Sequence, residues 1–165
     1  MNHLIISFIT EDRPGIVKVL SDLISKHKAN WQESSLHHMS GVFAGVIDIT
    51  VAAENSTNLA TELAALAGFK MQIEQVHPND LVPETLLVLE LTANDRAGIV
   101  QEISSAIHQH GGNLLKLVSK QESAPHSGYE LFKAKVTIST NKKDIDSMIT
   151  ALENLADDLM VDISR

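Results

Sequence analysis

The chain has 165 residues, 44% of them hydrophobic, with 13 basic and 21 acidic side chains and a net charge of −8. That is room for one ordinary domain or two small ones, and the acidic balance, shared equally by the two halves, opposes direct binding to a nucleic-acid phosphate surface. The absence of cysteine excludes disulfides, thiol nucleophiles and cysteine-based zinc sites, and no apolar run approaches the roughly 18 residues of a membrane helix.

"MNHLIISFITEDR" has neither a basic start nor a small-residue cleavage site, so it reads as a strand rather than a signal peptide, and a cytoplasmic protein is expected. "EDRPGIV" follows at residues 11 to 17. It opens an amphipathic segment whose apolar residues Ile16, Leu20, Leu23 and Ile24 recur at helical spacing. After Asn30, "WQESSLHHMS", a turn at Gly41 and "VFAGVIDITVA" predict a two-stranded hairpin. "NSTNLATELAALAGF" predicts a second helix with Leu59, Leu63 and Leu66 on one side, and "KMQIEQVHP" a fourth strand. "HPNDLVPE" has the prolines and polar residues of a linker.

The order then repeats. "NDRAGIV", residues 94 to 100, echoes the first turn at an offset of 83, which pairs Asp12 with Asp95, Arg13 with Arg96, Gly15 with Gly98 and Ile16 with Ile99. The same offset pairs His27 with His110 and Asn30 with Asn113, and it matches the strand residues Leu4, Ile6 and Phe8 to Leu87, Leu89 and Leu91. So many columns at one offset indicate an internal duplication. "NLLKLVSKQE" and "YELFKAKVTIS" form the second hairpin, joined by the longer "SAPHSG". Aligning Val51 with Ile138 there gives an offset of 87 and an insertion of about four residues. "KKDIDSMITALENLADD" and "LMVDIS" complete the second unit as helix and strand.

Each unit therefore reads β-α-β-β-α-β. The expected fold class is α+β: two tandem ferredoxin-like units, each an antiparallel sheet with its helices on one face. The boundaries are a first domain over 1–79, a linker over 80–83 and a second domain over 84–165. Units of about 80 residues are small for independent cores, so close packing of the two is expected. A bare edge strand also invites pairing with a second copy, which makes a homodimer an expectation to test.

The repeated turn is the candidate site. Asp12 and Asp95 stand where a helix N-cap is wanted, and Pro14 suits a first helical turn. Gly15 and Gly98 leave the backbone uncovered. The amides that follow offer partial positive charge to a small carboxylate, while the aspartates could hold an ammonium. A cap and a glycine also serve a strand-to-helix turn for geometric reasons alone, and asparagine after a helix is a common turn-former.

"DRPGIV" after the first strand, with "HKAN" or "HGGN" after the first helix, resembles the ACT domain, as two tandem copies covering nearly the whole chain. Tandem copies with no catalytic domain are similar to the glycine cleavage system transcriptional repressor group. The resemblance implies a regulatory amino-acid site on the turn and first helix, with Asp12, Arg13, Gly15, Ile16 and Asn30 in one unit and Asp95, Arg96, Gly98, Ile99 and Asn113 in the other. It implies glycine or a similar amino acid as ligand and a partner transcription activator, without direct contact to nucleic acid and without a cofactor. Two departures bear on this: Ala97 replaces the proline, and Lys28 stands where the other copy has glycine, at the point where the helix must stop.

An enzyme is the rival class. Among the eight histidines, His37 and His38 are adjacent on a strand and point to opposite faces, and His108 and His110 are two apart on a helix, which is not ligand spacing. His27 and His110, at the helix ends, suit capping. No nucleophile elbow or metalloprotease motif occurs, so no catalytic or metal-ligating residue is assigned. A third class, an interaction module with no ligand, needs only exposed edges or apolar patches. Trp31, where the other copy has Leu114, suits either core packing or a partner contact.

Overall fold

The computed structural model describes residues 1–77 and 85–164. The chain divides into two compact units, Met1–Asp80 and Leu81–Arg165. The expected linker over 80–83, and the domain edges beside it, lie outside the described residues.

In the first unit β1 (Asn2–Glu11) leads to α1 (Ile16–Lys26), β2 (Asn30–Met39), β3 (Val42–Val51), α2 (Ala53–Ala64) and β4 (Phe69–Val76). The second unit repeats this with β5 (Thr85–Asn94), α3 (Ile99–Gln109), β6 (Asn113–Ser123), β7 (Glu130–Thr140), α4 (Ile145–Glu153) and β8 (Met160–Ile163). The sheets run β2-β3-β1-β4 and β6-β7-β5-β8, with every neighbouring pair antiparallel. This is the expected α+β class, one ferredoxin-like unit after another.

Period-2 burial on the strands and four-residue spacing on the helices build each core. Leu4, Ile6 and Phe8 on β1 and Ile47, Ile49 and Val51 on β3 meet Ile16, Leu20 and Ile24 of α1 and Leu59 and Leu63 of α2. Leu23 and Leu66 pack against this cluster only in part. The second core repeats the pattern with Leu87, Leu89 and Leu91, Val136 and Ile138, Ile103 and Ile107, and Met148 and Leu152. Trp31 and Leu114 both pack against their cores, and an irregularity in strand register follows each, at Trp31/Glu33 and Leu114/Lys116.

Register corrects the hairpin alignment. Leu4 pairs with Ile49 and Leu87 with Ile138, so Ile138 matches Ile49, and the counterpart of Val51 is Thr140. The offset is 89 rather than 87. The first hairpin turns through Ser40 and Gly41, both at positive φ (49° and 88°), as a tight two-residue turn requires. The second carries six more residues between its matched strand ends, Met39–Val42 in one unit and Glu122–Leu131 in the other.

Both first helices stop in the same way. The amide of Ala29 donates to Ile24 O and that of Lys28 to Ser25 O, at 3.1 and 2.9 Å. Gly112 donates to Ile107 O and Gly111 to His108 O, at 2.9 and 3.1 Å. These are Schellman closures, whose pivot residue must be left-handed. Gly111 takes that role at φ 75°, and Lys28 takes it at φ 56°.

Candidate functional site

β1 ends at Glu11, and Asp12, Arg13 and Pro14 cross to the start of α1. The amide of Asp12 donates to Gly41 O at the hairpin tip, 3.0 Å away, and the carboxylate Oδ2 of Asp12 lies 2.5 Å from His38 Nδ1 on β2. Asp12 is therefore not the helix N-cap that the sequence suggested. Gly15 is, at φ 89°, with no side chain capping the helix; Pro14 precedes it and lies outside the first helical turn. The left-handed cap is what demands glycine here. A Cβ on Gly15 would meet nothing within 4 Å, so the start of the helix is open to approach. Ile16 is buried in the first core.

The second unit reproduces the frame with different side chains. The amide of Asp95 donates to Glu130 O at 2.8 Å, and Asp95 Oδ2 accepts a hydrogen bond from Gln121 Nε2 at 2.8 Å. Gly98 is the N-cap at φ 87°, again with open space over the Cβ position and no side-chain cap, and so Asp95 is not the cap either. Ile99 is buried, and its amide donates back to Arg96 O at 3.4 Å.

The two arginines diverge. Arg13 turns towards β4: its guanidinium lies 5.6 Å from the Phe69 ring centroid, a cation–π distance, and Nη1 donates to Thr10 Oγ1 at 3.4 Å. Thr10, itself buried, donates to Gly68 O at 2.9 Å. Arg96 instead makes a two-pronged pair with Glu102 on α3, one bond at 2.9 Å between Nη1 and Oε1 and one between Nη2 and Oε2. That pairing raises the arginine and holds the Glu102 carboxyl below its ordinary range. At the offset of 83 the counterpart of Glu102 is Val19, so Arg13 has no such partner on α1.

Asn30 and Asn113 lie at the other end of the first helices. Each opens the second strand of its unit, opposite Thr50 and Ser139. The eleven residues of α1 or α3, at a rise of about 1.5 Å each, put them about 16 Å along the helix from the glycine turn. Each unit thus gathers Asp, Arg, Gly and the Ile backbone at one end and leaves its Asn at the other. At that far end His27 is the C-cap of α1, and its carbonyl accepts from Asn55 Nδ2 at 3.3 Å. Its Nε2 is 3.1 Å from Glu62 Oε1, while Lys26 Nζ is 2.7 Å from Glu62 Oε2. Lys26 first, and then His27, hold the Glu62 carboxyl below its usual value. His110 is the matching C-cap of α3.

Sequence weighed His38 only as half of a histidine pair, and Gln121 not at all. They do share a column at the offset of 83, both with hydrogen-bonding side chains, which is the one signal that could have found them. Sequence alone assigned His37 and His38 to opposite faces, as their partners Ala44 and Phe43 on β3 require. Among the described residues, no group of three or more His, Asp or Glu is placed to hold a metal ion. No helix among them is long and apolar enough to cross a membrane. Concavities lie away from the turns, on the open face of the second sheet beside Glu90, Lys120, Lys133 and Lys135 (about 380 Å³) and between α2 and β4 (about 480 Å³).

A βαββαβ unit with an open, glycine-capped turn after its first strand defines the class, a small ferredoxin-like domain present twice. Residues 2–74 match the family model of the ACT domain. The match spans nearly all of the first unit, and the second repeats its fold, so the chain is a tandem of two ACT-like units. Among solved structures, an unknown protein from Galdieria sulphuraria is similar over 99% of this chain and 97% of its own, at 23% identity and a TM-score of 0.84. The structure of a candidate glycine cleavage system transcriptional repressor is similar over 99% of this chain and 98% of its own, at 17% identity and a TM-score of 0.71. At such identities the likeness is one of fold. No curated protein matches the sequence significantly.

Proposed function

We propose that this chain is a non-catalytic regulator that senses a small amino acid at its glycine-capped turns and acts on transcription through a protein partner. The observation that carries the reading is the twofold occurrence of one arrangement. A left-handed glycine opens the start of a helix, with free space above it, and an aspartate carboxylate stands three residues before. The helix start suits the ligand carboxylate and the aspartate suits its ammonium. The ligand groups in this reading are Asp12, Arg13, Gly15 and the Ile16 backbone in one unit, and Asp95, Arg96, Gly98 and the Ile99 backbone in the other. Asn30 and Asn113, at the far helix ends, would join a site only where a further ACT unit, such as that of a second copy in a homodimer, brings such an end to a turn. Glycine is the first ligand to test, since a candidate repressor of the glycine cleavage system shares the fold. A cytoplasmic protein that meets a transcription activator, rather than nucleic acid, fits the net charge of −8.

Size limits the affinity. At a ceiling of about 1.5 kcal/mol per heavy atom, glycine binds with at most about 7.5 kcal/mol, a Kd of a few micromolar. A ligand that favours one conformation of the chain would shift its population towards or away from the form the partner accepts.

A specific observation supports a second reading, a ligand-free interaction module. Asp12, Asp95, Arg13 and Arg96 each already have a partner within their own unit. A thermal-shift panel of the common amino acids at several millimolar, followed by calorimetry, separates the two. A ligand at a hundredfold over Kd adds about 2.7 kcal/mol. A selective shift that Asp12→Asn or Asp95→Asn removes establishes the sensor. A flat panel on well-folded protein rejects it and leaves the module.

A further inference from the structure

Each turn aspartate is held by a side chain from the second strand of its unit, and the two holders differ in kind. His38 Nδ1 lies 2.5 Å from Asp12 Oδ2, and Gln121 Nε2 lies 2.8 Å from Asp95 Oδ2. Both pairs span 26 residues. In each unit a backbone bond from the same aspartate, to Gly41 O or to Glu130 O, runs beside the side-chain bond. Turn and hairpin are thus joined at two points, one of them a side-chain latch.

We propose that His38 and Gln121 are the latch residues of the two turns, and that the exchange of imidazole for amide makes the first turn respond to protons while the second does not. Imidazole is the side chain that ordinarily changes charge between pH 5 and 8, and an amide does not titrate. A cationic His38 donates a charge-assisted bond to Asp12, stronger than the bond between a neutral imidazole and the same carboxylate. Of the groups around His38, Asp12 comes from the turn, β3 presents the apolar Phe43 opposite, and His37 on its own strand faces the other side of the sheet. Arg13, the other charge of the turn, is drawn off to Phe69. Asp12 is therefore the charge that His38 senses. Mild acid tightens the first latch, and rising pH loosens it. Where the turn takes an amino acid, which rests on the function proposed above, a cationic His38 also opposes the ligand ammonium at Asp12. Binding at the first turn then weakens in acid, and by linkage the ligand weakens proton binding at the latch by the same factor.

The test uses the full chain and two readouts. The first needs no ligand: hydrogen exchange of the Asp12 and Asp95 amides, corrected for intrinsic rate, at pH 5.5 and 7.5. Protection of Asp12 is expected to fall by about two- to fivefold between these values, the range an exposed ion pair provides, with that of Asp95 constant. His38→Gln should flatten the Asp12 response, and Gln121→His should give Asp95 the same one. An Asp12 response that survives His38→Gln, or one absent from the wild type, overturns the latch. The second readout is calorimetry with glycine, and then the other common amino acids, at the same two pH values. Binding about two- to fivefold weaker at pH 5.5, with the difference removed by His38→Gln, supports the proposal. Binding whose pH dependence ignores His38→Gln overturns it and leaves the amino-acid reading standing. A pH-dependent Asp12 amide with no amino acid bound at either pH supports the latch and rejects that reading.

Discussion

Asp12 and His38 meet across the gap between the end of the first strand and the far end of the second, and 83 residues later Asp95 and Gln121 meet in the same place. The contact is conserved between the units in position but not in chemistry. That combination locates the turn aspartates functionally: they are tethered to the hairpin instead of capping the helix, which leaves the helix start to the glycines.

The glycines should be required for backbone reasons alone. Gly15 and Gly98 sit at φ 89° and 87°, and a Cβ at either would touch nothing within 4 Å. Gly15→Ala and Gly98→Ala should each cost about 1–2 kcal/mol, the left-handed penalty for an L-residue, measured by urea denaturation of the full chain. A loss above about 3 kcal/mol would mean that packing, and not φ, holds the turn.

The two helix stops should respond in opposite directions. Lys28 occupies a left-handed pivot that Gly111 fills in the other unit. Lys28→Gly should stabilise the first unit by up to about 1 kcal/mol, and Gly111→Lys should destabilise the second by a similar amount. The next position differs for a packing reason. A Cβ on Gly112 would lie 2.6 Å from Met148 Cε and 2.8 Å from Ile107 Cγ2, whereas its counterpart Ala29 already carries one. Gly112→Ala should therefore be destabilising in the second unit, by about 1–3 kcal/mol of overpacking. An unchanged denaturation midpoint would contradict the packing described at Gly112.

Much of this was legible in the sequence because two periods decide it. Alternation fixes which residues of a strand face the core, and a four-residue step fixes the buried stripe of a helix, so Leu4, Ile6 and Phe8 and Ile16, Leu20 and Ile24 could be placed without a structure. The same periodicity explains the one misalignment. A shift of two along a strand keeps every side chain on its own face, so hydropathy could not distinguish Ile138 as the match of Val51 from Ile138 as the match of Ile49; only the pairing with Leu4 and Leu87 does. The aspartate looked like a cap because its residue type fits one, but the chain needs a left-handed residue at the helix start, and Gly15 is that residue. The latches and the arginine partners depend on contacts 26 and 56 residues apart, or on one exchanged neighbour, Val19 for Glu102, and local pattern does not encode them.

The cores should rank by burial. Leu20 is fully buried under the first sheet, and Leu23 packs there only partly. Leu20→Ala should cost about 2–5 kcal/mol, as large-to-small changes in a close-packed core do, and Leu23→Ala clearly less. Equal losses in urea denaturation would mean that the helix stripe is rotated from the one described.

Acid should weaken the second unit through two identifiable carboxylates. Arg96 holds the Glu102 carboxyl below its ordinary value, and Lys120 first, then Lys133, hold that of Glu122 below its own. Both are depressed in the folded chain, so the stability each contributes is complete above the unfolded value of about 4.5 and is lost as pH falls through the lower folded value. Glu102→Gln and Glu122→Gln should each lower Tm slightly at pH 7 and flatten its decline between pH 5 and 3, with the difference at pH 7 shrinking in 0.5 M salt because the pairs are exposed. The first unit offers the internal comparison. Glu62, depressed by Lys26, should give it the same acid response, and Val19 leaves it without the arginine pair. If Glu102→Gln leaves the acid limb of the melting curve as steep as before, the Arg96 pair contributes nothing to stability.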